Sequence, residues 1–122
     1  MTTVLAIDQG TQSTKALLVG RDHAVSGRAA ASLDRDFPQP GWVEQDAEAI
    51  WASVVKAAEG LADTSVDGIA LSTQRETVVA WDATTGRPLG PALSWQDQRA
   101  VAICERLADL ADPIFAALEE GK

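Results

Sequence analysis

The first third of the chain shows three segments that favour β-structure, separated by polar turns. Apolar runs at residues 4–7 and 16–19 are each followed by a glycine-containing turn. Short apolar runs bounded by turn residues are typical of buried strands. Residues 24–33 alternate less regularly and predict a third strand, which ends before the Pro-Gln-Pro-Gly sequence that starts at Pro38. The pattern therefore predicts three consecutive strands, of which the first two form a hairpin.

A helical pattern replaces the strand pattern after Asp46. This residue suits a helix N-cap, and Glu48 suits the positive end of the helix dipole. Apolar side chains then recur at spacings of four and three from Ile50 to Leu61, which predicts a helix that covers one face of the sheet. Trp51 widens the apolar stripe, so we expect its indole in the core.

The second half of the chain first returns to short strands. Residues 68–72 and 77–81 predict two strands, and Trp81 in the second of them is expected in the core. A polar turn with Thr-Gly-Arg-Pro follows, and extended structure resumes at residues 92–95.

Helical spacing resumes near Gln98. Asp112 followed by Pro113 resembles an N-cap with proline at the first helical position, which predicts the start of a separate short helix. Three strands before the first helix indicate a mixed α/β sheet with flanking helices. A Rossmann domain would instead alternate strands and helices from the start.

The composition limits the kind of protein more than its function. With 122 residues, 46% of them hydrophobic, the chain is typical of one soluble domain or part of one. The formal charge of −8 argues against nucleic acid or an anionic membrane as partner. A single cysteine excludes an internal disulfide, and no apolar run is long enough for a signal peptide or a membrane span. We therefore expect a cytoplasmic protein.

The strongest local feature is the turn at residues 8–15. Gly10 allows the backbone to approach an anion, the carboxylate of Asp8 could hold hydrated Mg²⁺, and Lys15 could place a positive charge against a phosphate. Hydroxyl groups that could donate to phosphate oxygens come from Thr11, Ser13 and Thr14. The turn does not match a P-loop, which leads into a helix. Ordinary hairpin chemistry is the alternative interpretation.

Two further features could bind a polyol. Arg75 and Glu76 pair a hydrogen-bond donor with an acceptor, as vicinal hydroxyls require, although an exposed ion pair would look the same in sequence. The indoles of Trp42 and Trp95 lie beside predicted loops, where they could line a pocket against the carbon side of a polyol. Core packing is the alternative for both tryptophans.

Four sequence blocks, at residues 8–15, 40–46, 73–77 and 94–99, together carry a resemblance to a known family. In this order and at about this spacing they resemble the N-terminal domain of the FGGY carbohydrate kinases, and the pattern is nearest to the members that phosphorylate glycerol. The resemblance implies a ribonuclease H-like fold of the actin, Hsp70 and hexokinase superfamily. Two such domains close around ATP and substrate, and residues 1–122 would form the N-terminal part of the first.

The resemblance also implies roles for individual residues. The phosphates of the nucleotide would be bound by Asp8, Gly10, Thr11, Gln12, Ser13 and Lys15. Asp8 would in addition approach Mg²⁺ through water. Arg75 and Glu76 would hold the hydroxyls of a polyol or sugar, and Trp95 would line the same pocket.

Two positions depart from the pattern that the resemblance implies. Gln12 stands where a threonine is usual, so an amide would replace a hydroxyl. Lys15 stands where an arginine is usual, which keeps the charge but loses the bidentate guanidinium. Both departures leave a polyol or sugar kinase as the implied activity, with glycerol as one of several acceptors.

The general base of the family, an aspartate, is expected beyond Lys122, so no catalytic residue is expected in this chain. Phosphoryl transfer depends on positioning from both sides of the substrate, so the chain alone is expected to be inactive.

Three alternatives remain at the level of sequence. One is an FGGY kinase for a ketose, pentitol or aldonate. Another is a non-catalytic binding module, whose unpaired sheet edge would favour a homo-oligomer. A third is an actin-like or Hsp70-like ATPase, which would leave Arg75 and Glu76 unexplained.

Overall fold

A four-stranded mixed sheet forms the centre of the computed structural model, which describes residues 2–61 and 64–120. The elements follow one another as β1 (Thr3–Gln9), β2 (Ser13–Gly20), β3 (Val25–Ser32), β4 (Glu44–Gln45), α1 (Ala47–Glu59), β5 (Gly68–Thr73), β6 (Ala92–Leu93) and α2 (Val101–Glu120). The strand order in the main sheet is β3-β2-β1-β5. The predicted succession of three strands, a helix and a further strand is confirmed.

The direction of the strands follows from the lengths of their connections. Short turns join β1 to β2 and β2 to β3, and both pairs are antiparallel. β5 instead pairs with β1 in the parallel direction, after a crossover through α1. A parallel neighbour requires such a long crossover because the chain must return to the starting end of the sheet. Consequently, β1 and β5 end at the same edge of the sheet.

One face of the sheet packs against α1. Alternate residues of β1 and β2 point to this face, and with Ala31 of β3 and Ala57 of α1 they form the core: Leu5, Ile7, Ala16 and Leu18. Asp46 is the N-cap of α1, as predicted, and its side chain accepts a hydrogen bond from the backbone nitrogen of Glu48 at 2.9 Å. The apolar stripe therefore lies where the periodicity placed it, with Val54, Ala58 and Leu61 at its margin.

A hydrogen bond between hydroxyl groups crosses this core. Thr14 of β2 is fully buried, and its Oγ1 lies 2.6 Å from Oγ of Ser53 in α1. The Ser53 hydroxyl donates to the backbone oxygen of Ile50 at 2.7 Å. Since that hydroxyl has a single hydrogen, the Thr14 hydroxyl must be the donor to Ser53.

The two tryptophans that were expected in the core lie on the surface, so that prediction is wrong. Trp51 is 64% exposed and Trp81 is 60% exposed. Trp51 lies two positions before the buried Ser53, which is on the opposite side of a helix with about 3.6 residues per turn. Trp81 belongs to a segment that forms only isolated bridges, Val78 with Leu93 and Trp81 with Pro88, instead of the predicted strand.

The prediction of a separate last helix is also wrong, because α2 continues through Pro113. Proline removes one helical hydrogen bond and costs about 3 kcal/mol inside a helix, but it does not forbid the helix. Val101, Ile103, Leu107 and Leu110 of α2 are each about half exposed. Within the described ranges, no helix combines the length and the apolar composition needed to cross a bilayer.

An ion cluster fixes the loop after β6 to β4 and to the residues just before β4. Arg99 Nη2 lies 2.8 Å from Glu44 Oε1 and 2.7 Å from Asp97 Oδ2. The guanidinium carbon of Arg99 also lies 3.8 Å from the centre of the Trp42 ring. Asp97 in addition accepts from the backbone nitrogen of Val43 at 2.7 Å. The hydrogen bonds from Arg99, above all, lower the pKa of Asp97 to about 2.

The hydroxyl pair gives a prediction about stability. Ser53→Ala leaves the buried Thr14 hydroxyl without an acceptor, so we expect the free energy of unfolding to fall by about 1–3 kcal/mol. Urea denaturation measures the change. The double variant Thr14→Val/Ser53→Ala removes both polar groups, so it should be more stable than Ser53→Ala alone. A double variant less stable than the single one would contradict this account.

The ion cluster gives a prediction about pH. The pKa of Asp97 is about 2 in the folded protein and about 3.9 in an unfolded chain. The carboxylate therefore stabilises the fold above pH ~4, and this contribution is lost as the pH falls from about 4 to about 2. Asp97→Asn should weaken the fall in melting temperature over that range. Asp109→Asn, on exposed α2, controls for the loss of one negative charge; an equal effect of both changes would contradict the assignment.

Candidate functional site

The turn between β1 and β2 is narrow and is fixed by backbone hydrogen bonds. Gly10 N donates to Ser13 O at 2.9 Å, and Leu33 N donates to Gln12 O at 2.9 Å. A Cβ atom at Gly10 would lie 3.1 Å from Ser13 O, which explains the glycine at this position. The turn is therefore attached both to itself and to the end of β3.

Asp8 and Lys15 lie opposite each other in the β1–β2 ladder, on the face of the sheet that α1 does not cover. Both line a cavity of about 370 Å³. Ser72, the parallel partner of Asp8, and Arg28 of β3 line the same cavity. Arg28 was not expected here, although its place in the β3 alternation was a signal that could have found it. The cavity thus holds one carboxylate and two cationic side chains.

Thr11, within this turn, connects it to Trp95. The indole Nε1 of Trp95 donates to Thr11 Oγ1 at 3.0 Å, and the ring remains 52% exposed. Gln12 is exposed and Ser13 is partly buried. Thr14 is fully buried against Ser53, so the expectation that its hydroxyl could reach a phosphate is wrong.

Arg75 and Glu76 follow the end of β5, next to the turn that follows β1. Both residues are exposed, and neither side chain forms a hydrogen bond or ion pair with another described residue. Glu76 has φ 66°, a left-handed conformation that is uncommon for a residue with a Cβ atom. Arg75, Glu76 and Trp95 are not among the residues that line the Asp8–Lys15 cavity.

Sequence reasoning missed a group of amides between these two regions. Gln45 is fully buried and Gln9 is 5% exposed, while Gln74 donates to the side chains of both. A signal for Gln9 existed, because the alternation in β1 places it on the same side as Leu5 and Ile7, where an amide needs a partner. Gln45 carried no such signal, since β4 is only two residues long.

Comparisons with known proteins show the family to which this chain is related. The model of the N-terminal domain of the FGGY family of carbohydrate kinases matches residues 3–117. Glycerol kinase of Dechloromonas aromatica is 44% identical over 110 residues, covering 85% of this chain and 22% of that protein. Apulose kinase of Pectobacterium atrosepticum is 45% identical over 113 residues, covering 89% and 23%.

A solved structure supports the same relationship. The crystal structure of Plasmodium falciparum glycerol kinase with ADP superposes with a TM-score of 0.79 and 32% identity, over 89% of this chain and 23% of that one. This chain therefore spans less than a quarter of the length of these three relatives.

The mixed sheet and the family match confirm the ribonuclease H-like fold of actin and hexokinase, of which the described elements form part. Sequence blocks, strand order and similar structures point to the same group of proteins. The chain belongs to the FGGY family of carbohydrate kinases.

Proposed function

We propose that residues 1–122 form the N-terminal part of a kinase that transfers the γ-phosphoryl group of ATP to a hydroxyl of glycerol or a related polyol or sugar. The observation that carries this proposal is the 3.0 Å hydrogen bond between Thr11 and Trp95. It holds the turn suited to phosphate against an indole suited to the carbon side of a polyol. Glycerol kinases among the relatives support the same activity.

In this proposal the turn after β1 binds the phosphates of ATP. The backbone nitrogen of Gln12 and the hydroxyls of Thr11 and Ser13 supply uncharged donors, as an acidic protein requires, while Gly10 lets the backbone come close to the phosphate. Lys15 adds a compact positive charge that stabilises the charge developing during transfer. The overall charge of −8 makes such local binding necessary.

A Mg²⁺ site at Asp8 fits the residues present. The described residues contain no group of three His, Cys, Asp or Glu side chains that could hold a metal ion, and Asp8 offers a single carboxylate beside the cavity. Mg²⁺ in phosphoryl-transfer sites is held by one or two carboxylates, with water and substrate phosphates as its other ligands. When bound, the ion neutralises phosphate charge. Asp8 would hold its hydration shell next to Lys15.

The alcohol would be bound by the loop after β5. Arg75 donates and Glu76 accepts, so vicinal hydroxyls would satisfy both side chains, which have no polar partner among the described residues. The exposed part of Trp95 would contact the carbon chain. The aspartate that removes the proton from the attacking hydroxyl would come from outside residues 1–122, so the domain alone should turn over negligibly.

A sugar as the acceptor is the second candidate, and one observation supports it equally well. Apulose kinase is 45% identical to this chain, as similar as the glycerol kinase at 44%, so overall identity does not select the substrate. A substrate panel with the complete protein, ATP and Mg²⁺ decides between the classes: glycerol, ketoses, pentitols and aldonates. Phosphorylation of none of them would contradict the proposed function.

The loop at residues 74–77, which follows β5 and carries Arg75 and Glu76, is called the alcohol loop below. Removal of its positive charge tests the substrate site. Arg75→Ala should lower kcat/KM for the preferred alcohol by about 10- to 100-fold, because hydrogen bonds to a charged group contribute about 1.5–3 kcal/mol. Steady-state kinetics with varied alcohol measure the effect. Arg87→Ala, at an exposed arginine of the 82–87 turn, is the matched control. Unchanged KM and kcat for Arg75→Ala would exclude the assigned pocket.

The turn at residues 8–15 is called the phosphate turn below. Removal of the positive charge of Lys15 from this turn tests the nucleotide site. Lys15→Met keeps the aliphatic stem and should lower kcat by about 100-fold, since a preorganised donor to the developing charge is lost. The KM for the alcohol should change little. Lys56→Met, on the exposed side of α1, is the control for loss of one lysine. A kcat for Lys15→Met equal to that of the control would contradict the role of Lys15.

A further inference from the structure

A relay of side-chain hydrogen bonds connects the phosphate turn to the alcohol loop. It begins at Gln45, whose side chain is fully enclosed. Gln45 Nε2 donates to the backbone oxygens of Thr11 at 2.8 Å and Asp34 at 3.1 Å. Its Oε1 accepts from Gln74 Nε2 at 3.1 Å. The backbone of the turn and the first residue of the loop therefore share one buried amide.

The orientation of the Gln74 amide is fixed by what surrounds it. Its Nε2 faces three oxygens: Gln45 Oε1, Gly10 O at 3.2 Å and Gln9 Oε1 at 3.3 Å. Since only the nitrogen can donate, the oxygen must point the other way, where it accepts from Thr77 Oγ1 at 2.8 Å. Thr77 Oγ1 in turn accepts from Trp95 N at 3.2 Å. The relay thus continues from the turn to the backbone of Trp95.

The Thr77–Gln74 bond also closes the short loop that carries Arg75 and Glu76. Both residues lie between the two bonded side chains and point no polar group at another described residue. The left-handed conformation of Glu76, with φ 66°, needs support from its surroundings to persist. The bond between the loop ends provides that support and leaves the two charged side chains exposed.

We propose that Gln74 and Thr77 are positioning residues that set the distance between the transferred phosphoryl group and the acceptor alcohol. The proposal rests on the proposed function, because it assigns the phosphates to one end of the relay and the alcohol to the other. Neither residue needs to touch a substrate. Their effect on rate comes from alignment, where a displacement of about 1 Å can cost about 100-fold.

Substitutions at Thr77 test the positioning role. Thr77→Val keeps the shape but removes the hydroxyl, so kcat should fall about 10- to 100-fold while the KM for ATP stays within about twofold. Thr77→Ser keeps the hydroxyl and should retain kcat within about threefold. Thr84→Val, at an exposed threonine whose hydroxyl donates to no described residue, is the matched control. A kcat for Thr77→Val equal to wild type would overturn the positioning role.

Hydrogen exchange at the Trp95 amide tests the relay without relying on activity. Exchange at this amide should be faster in Thr77→Val than in wild type, but unchanged in Thr77→Ser. It should also be faster in Gln74→Ala, because the side chain of Gln74 is linked to the Trp95 amide through Thr77. Unchanged exchange in both variants would overturn the relay. If the wild-type protein phosphorylates no alcohol, the proposed function and the positioning role fail together, while the exchange measurement still decides whether the relay exists.

Discussion

The parallel pairing of β1 with β5 is the constraint on which the rest of the structure depends. In this register Asp8 lies opposite Ser72 and Gln9 lies opposite Thr73, so both strands end at one edge. The turn after β1 and the loop after β5 therefore meet, although more than 60 residues separate them in sequence. Ligands of open α/β sheets bind at the carboxyl ends of parallel strands for the same reason. An antiparallel arrangement would place the two loops at opposite edges.

Polar contacts then convert this proximity into a defined geometry. The amide of Gln45, enclosed by protein, must have every hydrogen-bonding atom satisfied, since an unpaired buried amide costs about 1–3 kcal/mol. Its partners are the backbone oxygen of Thr11 in the turn, the backbone oxygen of Asp34 after β3, and the side chain of Gln74. Buried polar networks that are fully satisfied specify one arrangement of a structure. The edge of this sheet is therefore held by directional bonds, while the apolar core beneath α1 supplies the bulk of the packing.

The two faces of the sheet serve different purposes. Leu5, Ile7 and Leu18 point to the face beneath α1 and are buried. Asp8 and Lys15 point to the other face, where they line an open cavity with Arg28. The alternation of a strand makes this division possible, because neighbouring residues point to opposite faces. A single β-hairpin can in this way contribute to the core and to a candidate phosphate site.

The sequence by itself determined the features that depend on residues close together in the chain. Short apolar runs bounded by turns gave the first two strands, and a less regular alternation gave the third. Asp46 and the apolar stripe gave α1, and the sequence blocks gave the family. The candidate residues Thr11 and Trp95 could be named from those blocks. Their mutual contact could not be derived from periodicity, since it spans 84 residues.

Only the tertiary structure decided which polar and aromatic side chains are enclosed. Trp51 continues an apolar pattern yet lies on the surface, while Thr14 and Gln45 are polar and fully buried. Local patterns report which side of an element is apolar, but burial depends on whether another element covers that side. Thr14 and Gln45 form hydrogen bonds with segments that are distant in the chain. Because burial of a polar group costs little free energy only when the group is hydrogen-bonded, their burial could not be predicted before these segments were known to meet.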